Sequence, residues 1–188
     1  MTWRACAALL ALITLACDPS GPKYGDGDGE HDSGDPPSDA WFLMGQGESG
    51  WNEVKDGDPL LMVLGGQGLL MFPMPIRGHG FTLPDDPLDW TDPKIPLLDI
   101  HLDIEGFNIG FGGHFSRIAN YPVPFVILED GVYEFIYITI FVPDELSDPC
   151  DIDGLPGELH AELDTADGYT LTWDRSVVIE VPEALCKG

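Results

Sequence analysis

The sequence predicts an all-β fold, an antiparallel β-sandwich that is immunoglobulin-like in the loose sense, with a small barrel or jelly roll as runner-up. Three observations predict it. Asp99 to Glu105 alternates strictly, placing Ile100, Leu102 and Ile104 on one face and polar residues on the other, which is the period of a half-buried strand. Val132 to Val142, VYEFIYITIFV, is β-branched and aromatic throughout, as in a strand covered on both faces. No window carries an extended helical stripe, and 17 prolines with 23 glycines punctuate the chain too often for helices.

The first element is not part of that fold. Arg4 followed by an apolar run from Ala5 to Ala16 has the pattern of a secretory signal peptide over residues 1–16, too short to span a bilayer as a permanent helix. Thr14 and Ala16 put small side chains at the third and first positions before a cut that leaves Cys17 as the mature N-terminus. The segment Thr14-Leu15-Ala16-Cys17 resembles the lipobox of bacterial lipoproteins, which implies a diacylglyceryl thioether on Cys17. It departs from that pattern where Thr14 stands for Leu and Leu15 for a small residue, so an ordinary secretory signal cut at the same bond stays open. Cleavage removes Cys6 and leaves Cys17, Cys150 and Cys186, an odd number outside the cytoplasm. A lipid on Cys17 would leave Cys150 and Cys186 to form one structural disulfide, worth roughly 4 kcal/mol in the chain-entropy model.

Residues 17–40 contain almost no large apolar side chain and read as a disordered acidic linker. Within it Asp26, Asp28, Glu30 and Asp32 alternate with glycines and His31 in the manner of calcium-holding loops, but the twelfth-position Glu and flanking helices of an EF-hand are missing, which favours a solvated spacer. Residues 41–188 suffice for one domain with its own core. The formal net charge of the chain is −25. Such a field repels nucleic acid and anionic headgroups and is compatible with divalent cations or basic partners.

Along the domain, Leu60 to Leu64, the turn Gly65 to Gly68 and Leu69 to Phe72 read as a hairpin. Leu159, Ala161 and Leu163 alternate with Glu158, His160, Glu162 and Asp164 as a further half-buried strand. Tyr169 to Trp173 and Ser176 to Val181 are the last candidates, for seven to nine strands in all. Asp56-Gly57, Pro84-Asp85-Asp86-Pro87, Asp130-Gly131, Asp153-Gly154 and Asp167-Gly168 supply the turns.

Motifs with chemistry are sparse. The sequence lacks a Gly-x-Ser-x-Gly elbow, a His-Glu-x-x-His pair, a phosphate loop and a dinucleotide fingerprint. Gly106 to Gly113, GFNIGFGG, has no following Lys or helix pattern and reads as a connection or hairpin. His101 and Asp103 share one strand face two residues apart, and with His114 they would form a metal-type set if the next strand brought His114 alongside; the bland reading is an ordinary polar face. Ser116 beside His114 is a weak nucleophile and base pair. The loop with Asp144, Glu145, Asp148, Asp151 and Asp153 is the calcium candidate of the folded part, against a solvated acidic loop. Trp41, Phe42, Trp51, Trp90 and Phe115 near Gly/Pro-rich segments would serve as a glycan or protein platform, or cap the core.

Glu53-Val54-Lys55-Asp56-Gly57-Asp58-Pro59-Leu60, followed by Met62-Val63 and Gly65-Gly66-Gln67-Gly68, resembles a motif of small acidic myxobacterial-type lipoproteins. That resemblance, over about 25 residues, implies a secreted β-domain and no particular activity. The expectation is a lipid-anchored binding or structural module of the bacterial envelope, outside the cytoplasm, without catalysis or an obligatory cofactor. Its partners would be the membrane through Cys17 and an envelope protein or glycan, not nucleic acid. Two rivals are a calcium-dependent recognition domain and a secreted hydrolase built on Asp99, His101, Asp103 and His114.

Overall fold

The computed structural model describes residues 35–48 and 50–186. The signal peptide, Cys17 and the linker through residue 34, with its acidic candidates and His31, lie outside the described residues. Those described fold as an all-β domain. Its strands are β1 (Trp41–Gln46), β2 (Asn52–Glu53), β3 (Asp58–Leu61), β4 (Val63–Leu64), β5 (Leu70–Pro73), β6 (Ile76–His79) and β7 (Leu97–Ile104). There follow β8 (Ser116–Pro122), β9 (Val126–Ile127), β10 (Tyr133–Phe135), β11 (Thr139–Phe141), β12 (Pro156–Asp164) and β13 (Thr170–Glu180).

One layer is a five-stranded sheet in the order β3-β13-β12-β7-β8. The other holds β2-β1-β6-β10-β9 and β11-β5-β4. Met74 N–H donates to Ile138 O at 2.9 Å between those two groups, so the ladder continues past an interruption at Met74 and Pro75. A proline there has no N–H to give to a neighbour. The core lies between the layers: Leu98, Ile100, Leu102 and Ile104 of β7 are fully buried, as are Met44, Phe72, Met74, Ile76 and Ile140 opposite them. The period-two pattern of β7 and β12 therefore places every second residue in the core and the intervening polar ones outside.

Three local expectations change. The apolar run Leu60 to Leu64 is not one hairpin arm: β3 lies parallel to β13 in the five-stranded sheet, whereas β4 pairs with β5 in the other layer. The chain crosses between layers at Met62, which is fully buried and whose N–H donates to Glu180 O. The Gly65 to Gly68 turn does close the β4-β5 hairpin, with Gly68 at φ +80°. Val132 to Val142 is likewise two strands, β10 and β11, and its outward side is open, Tyr137 being 73% exposed. Conversely the two segments expected at 169–173 and 176–181 are the single strand β13.

Cys150 and Cys186 come together at disulfide distance, with Cα atoms 5.3 Å apart at a sequence separation of 36. The first sits in a 3-10 turn, Pro149–Ile152, and the second just after another, Glu183–Leu185. The bridge thus ties the chain end beyond β13 to the loop beyond β11. At the other end of the described domain, Ala40 N–H donates to Pro37 O and Ala40 packs against the core, so contact with the core already begins one residue before β1.

Candidate functional site

The outer face of the five-stranded sheet carries a grid of histidines and carboxylates, and the strand register builds it. Pairing of β7 with β12 sets His101 opposite His160, Asp103 opposite Glu158 and Asp99 opposite Glu162. Pairing of β12 with β13 sets His160 opposite Asp174 and Glu158 opposite Ser176. On the far side β8 places Arg117 opposite His101. Residues opposite one another in a ladder lie within side-chain reach, so these rows are contacts.

His114 joins the grid through the connection between β7 and β8. Gly106 to Gly113 is that connection, with Gly112 at φ +72° and Gly113 at φ +83° turning the chain back. Asn108 Oδ1 accepts from Ile104 N–H at 2.8 Å, and Gly110 N–H donates to His114 O at 2.8 Å. Phe115, fully buried, anchors the return and donates its N–H to Leu102 O. A side chain at Gly110 would begin 2.3 Å from the Phe115 carbonyl oxygen, so the close approach that delivers His114 requires glycine.

The resulting geometry is tight. His114 Nδ1–H donates to Asp103 Oδ1 at 2.9 Å, and His101 Nε2 stands 3.7 Å from Asp103 Oδ2, beyond hydrogen-bond distance. One ligand atom from each of His101, Asp103 and His114 falls within 4.8 Å of the others, a spacing that can hold a metal ion. The His101 ring stacks on His114 at 4.0 Å between centroids and on His160 at 4.9 Å. His160 Nδ1–H donates to Asp174 Oδ1 at 2.7 Å, and Nε2 lies 3.3 Å from Glu162 Oε1.

Those contacts divide the two central imidazoles. Burial, then the neighbouring His114, pushes the His101 pKa down, with Asp103 opposing and His160 and Arg117 adding to the fall. The hydrogen bond to Asp174 pulls the His160 pKa up, helped by Glu162 against partial burial. The two neighbouring imidazoles are thus shifted in opposite directions, His101 toward the neutral form and His160 toward the charged form. Arg117 reaches Asp99 Oδ1 at 3.6 Å. That oxygen is buried with no hydrogen-bond partner among the described residues, so the ion pair is its compensation.

The other expected residues fall elsewhere. Ser116 lines an open groove of about 830 Å³ with Leu69, Ile109, Phe111 and Phe141, while His114 Nδ1 faces Asp103, so the two do not form a nucleophile and base pair. In the acidic loop Asp148 caps the 3-10 turn by accepting from Cys150 N–H at 3.0 Å, and Asp153 accepts from Val181 N–H at 2.8 Å. Asp144, Glu145 and Asp151 are exposed. These carboxylates do not converge: among the described residues, His101, Asp103 and His114 are the group of this kind. Of the aromatics, Phe42 and Phe115 are core, Trp51 lies under the Arg77 guanidinium, Trp41 stands near His79, and Trp90 is 53% exposed.

Sequence reasoning anticipated His101, Asp103 and His114 but missed His160, Asp174 and Arg117 as their neighbours. The outward position of His160 was readable from the alternation of β12, yet only the register of β12 against β7 reveals that it meets His101. Compared with known protein families, with curated proteins and with solved structures, the chain matches none.

Proposed function

We propose that this chain is an extracytoplasmic binding module of the bacterial envelope, tethered through a lipid on Cys17, which works through the outer face of its five-stranded sheet and performs no catalysis. The observation that carries the reading is where the polar chemistry lies. Three histidines and five carboxylates, Asp99, Asp103, Glu158, Glu162 and Asp174, are gathered in adjacent rows on a sheet face rather than around an enclosed cavity. An open sheet face suits recognition, whereas a hydrolase gathers its reacting groups in a concave pocket that excludes water. Asp99, His101, Asp103 and His114, which a hydrolase would need around a pocket, all belong to this face.

The anchor is supported by cysteine accounting. With Cys150 paired to Cys186, Cys17 is the cysteine of the mature chain left for another role. The resemblance of residues 14–17 to a lipobox gives that role, and the likeness of residues 53–68 to small secreted lipoproteins agrees with it. The test is the intact, unreduced mass of the mature protein extracted from membranes. The expected mass begins at Cys17, carries a diacylglyceryl adduct and is short of two hydrogens. A bare Cys17 in the soluble fraction, or a Cys17→Ser variant that partitions with membranes as before, overturns the tethered reading.

A further inference from the structure

We infer that His101, Asp103 and His114 form a binding site for a divalent transition-metal ion of the zinc, copper or nickel class on the outer sheet face. The inference rests on the binding-module reading and names the ligand of its face.

Three features of the geometry lead to it. The donor atoms already lie within 4.8 Å of one another. Around a tetrahedral zinc, with bonds near 2.0 to 2.1 Å, neighbouring ligand atoms sit about 3.3 Å apart, so an ion needs small side-chain rotations and no movement of strands. The pair His101 and Asp103 is held at 3.7 Å without a hydrogen bond, a gap that a shared cation would bridge. The delivery of His114 is fixed by backbone, through the Gly110 approach and the buried Phe115, so the third donor is positioned by the fold rather than by a wandering surface side chain.

Charge on the face favours the same occupant. Asp99 is matched to Arg117, and Glu162 and Asp174 to His160. That leaves Asp103 with histidine partners and Glu158, its cross-strand neighbour, with the Ser176 hydroxyl. Two carboxylates beside two imidazoles make a local excess of negative charge suited to a dication. The donor set of two nitrogens and one oxygen selects the metal class, because calcium and magnesium prefer all-oxygen shells, whereas imidazole suits zinc, copper and nickel. Three protein donors also leave a coordination position open to water or to a donor atom from a partner.

Isothermal titration of the full mature chain with zinc, nickel, copper, calcium and magnesium tests this, alongside the absorption spectrum of the cobalt-loaded protein. One equivalent of transition metal is expected to bind in preference to calcium and magnesium, and cobalt should give nitrogen-ligated d–d bands. His101→Ala or His114→Ala should weaken zinc binding at least tenfold, while His79→Ala and His31→Ala leave it unchanged. Where an alanine variant melts early, His101→Gln and His114→Gln take its place. On the unaltered protein, zinc should shift the imidazole nuclear resonances of His101 and His114 and not that of His79. The inference is overturned if none of the transition metals binds, if a variant carrying both His101→Ala and His114→Ala keeps wild-type affinity, or if calcium competes equally. In each of those cases a lipidated Cys17 would still leave the tethered module standing, so the two readings fail separately.

Discussion

The two layers of this domain differ in continuity. In the five-stranded sheet, β12 pairs with β13 over nine positions and with β7 over eight, without interruption. In the opposite layer β1 pairs with β6 over four positions, and β10 with β6 and β11 with β5 over three each. One break has a local cause: Pro75, between β5 and β6, has no N–H to give to a ladder. The comparison teaches where a site can be built. An unbroken ladder holds side chains at a fixed pitch over several rows, so polar groups on three strands stay in register, whereas each break resets the direction of those that follow.

If continuity matters, equal truncations should cost more in the first layer. Ile100 and Ile140 are both fully buried. Ile100 stands opposite Ala161 in the unbroken β7-β12 ladder and opposite Ile118 in the β7-β8 ladder, whose register shifts between Leu98 and Ile100. Ile100→Ala should lower unfolding free energy by about 4 kcal/mol and Ile140→Ala by about 2 to 3 kcal/mol, in urea titrations. Equal losses would break the comparison.

The second test concerns how one end of the domain is closed. Cys150→Ser with Cys186→Ser should cost about 2 to 4 kcal/mol, read as a lower melting temperature that reductant no longer changes. The wild type in reductant should melt with the double variant. A wild type indifferent to reductant would mean that packing of the 3-10 turns, not the covalent link, closes that end.

The same contrast explains what the amino-acid sequence disclosed. β7 and β12 were legible because each buries one face and exposes the other, which writes a period of two into the chain. β10 and β11 were read as one covered strand because an apolar run is the same whether it stays in one sheet or bends across a break, and nothing in VYEFIYITIFV marks the interruption. β1, β6 and β8 were not identified at all: Gly45, Gly78 and Asn120 blur the alternation there, for tertiary reasons a local pattern does not carry. Of the candidate site, His101 with Asp103 followed from strand period alone. The arrival of His114 depends on the conformation of a glycine-rich loop, and that of His160 on register.

That loop supplies a sharper test of how the grid is assembled. Gly110→Ala forces its Cβ against the Phe115 carbonyl oxygen, and the cost should be about 1 to 3 kcal/mol. Its specific signature should be local: the imidazole resonances of His114 move as the bond to Asp103 is lost, and those of His160 do not. If both histidines shift together, the sheet itself has been disturbed and the loop is not a separate positioning device.

The smallest expected effect separates two adjacent rings by sign, in protein without added metal. His160 faces Asp174, Glu162 and His101, and its folded-state pKa lies above the ordinary 6.5 because of the Asp174 hydrogen bond first. Its contribution is fully present below 6.5 and is lost as the pH rises through the raised value. His101, faced by His114, Asp103, His160 and Arg117, has a folded-state pKa below 6.5, chiefly through burial. Its contribution is intact above 6.5 and is lost as the pH falls through the lowered value. His160→Gln should therefore cost stability at pH 5.5, by less than about 1 kcal/mol because the partners are well exposed, and cost almost nothing at pH 8.5. His101→Gln should do the reverse, relieving an acid-side loss and leaving the alkaline side unchanged. Urea midpoints of the three proteins at the two pH values decide it. Parallel slopes for both variants would mean that the two imidazoles titrate as one unit rather than with shifts of opposite sign.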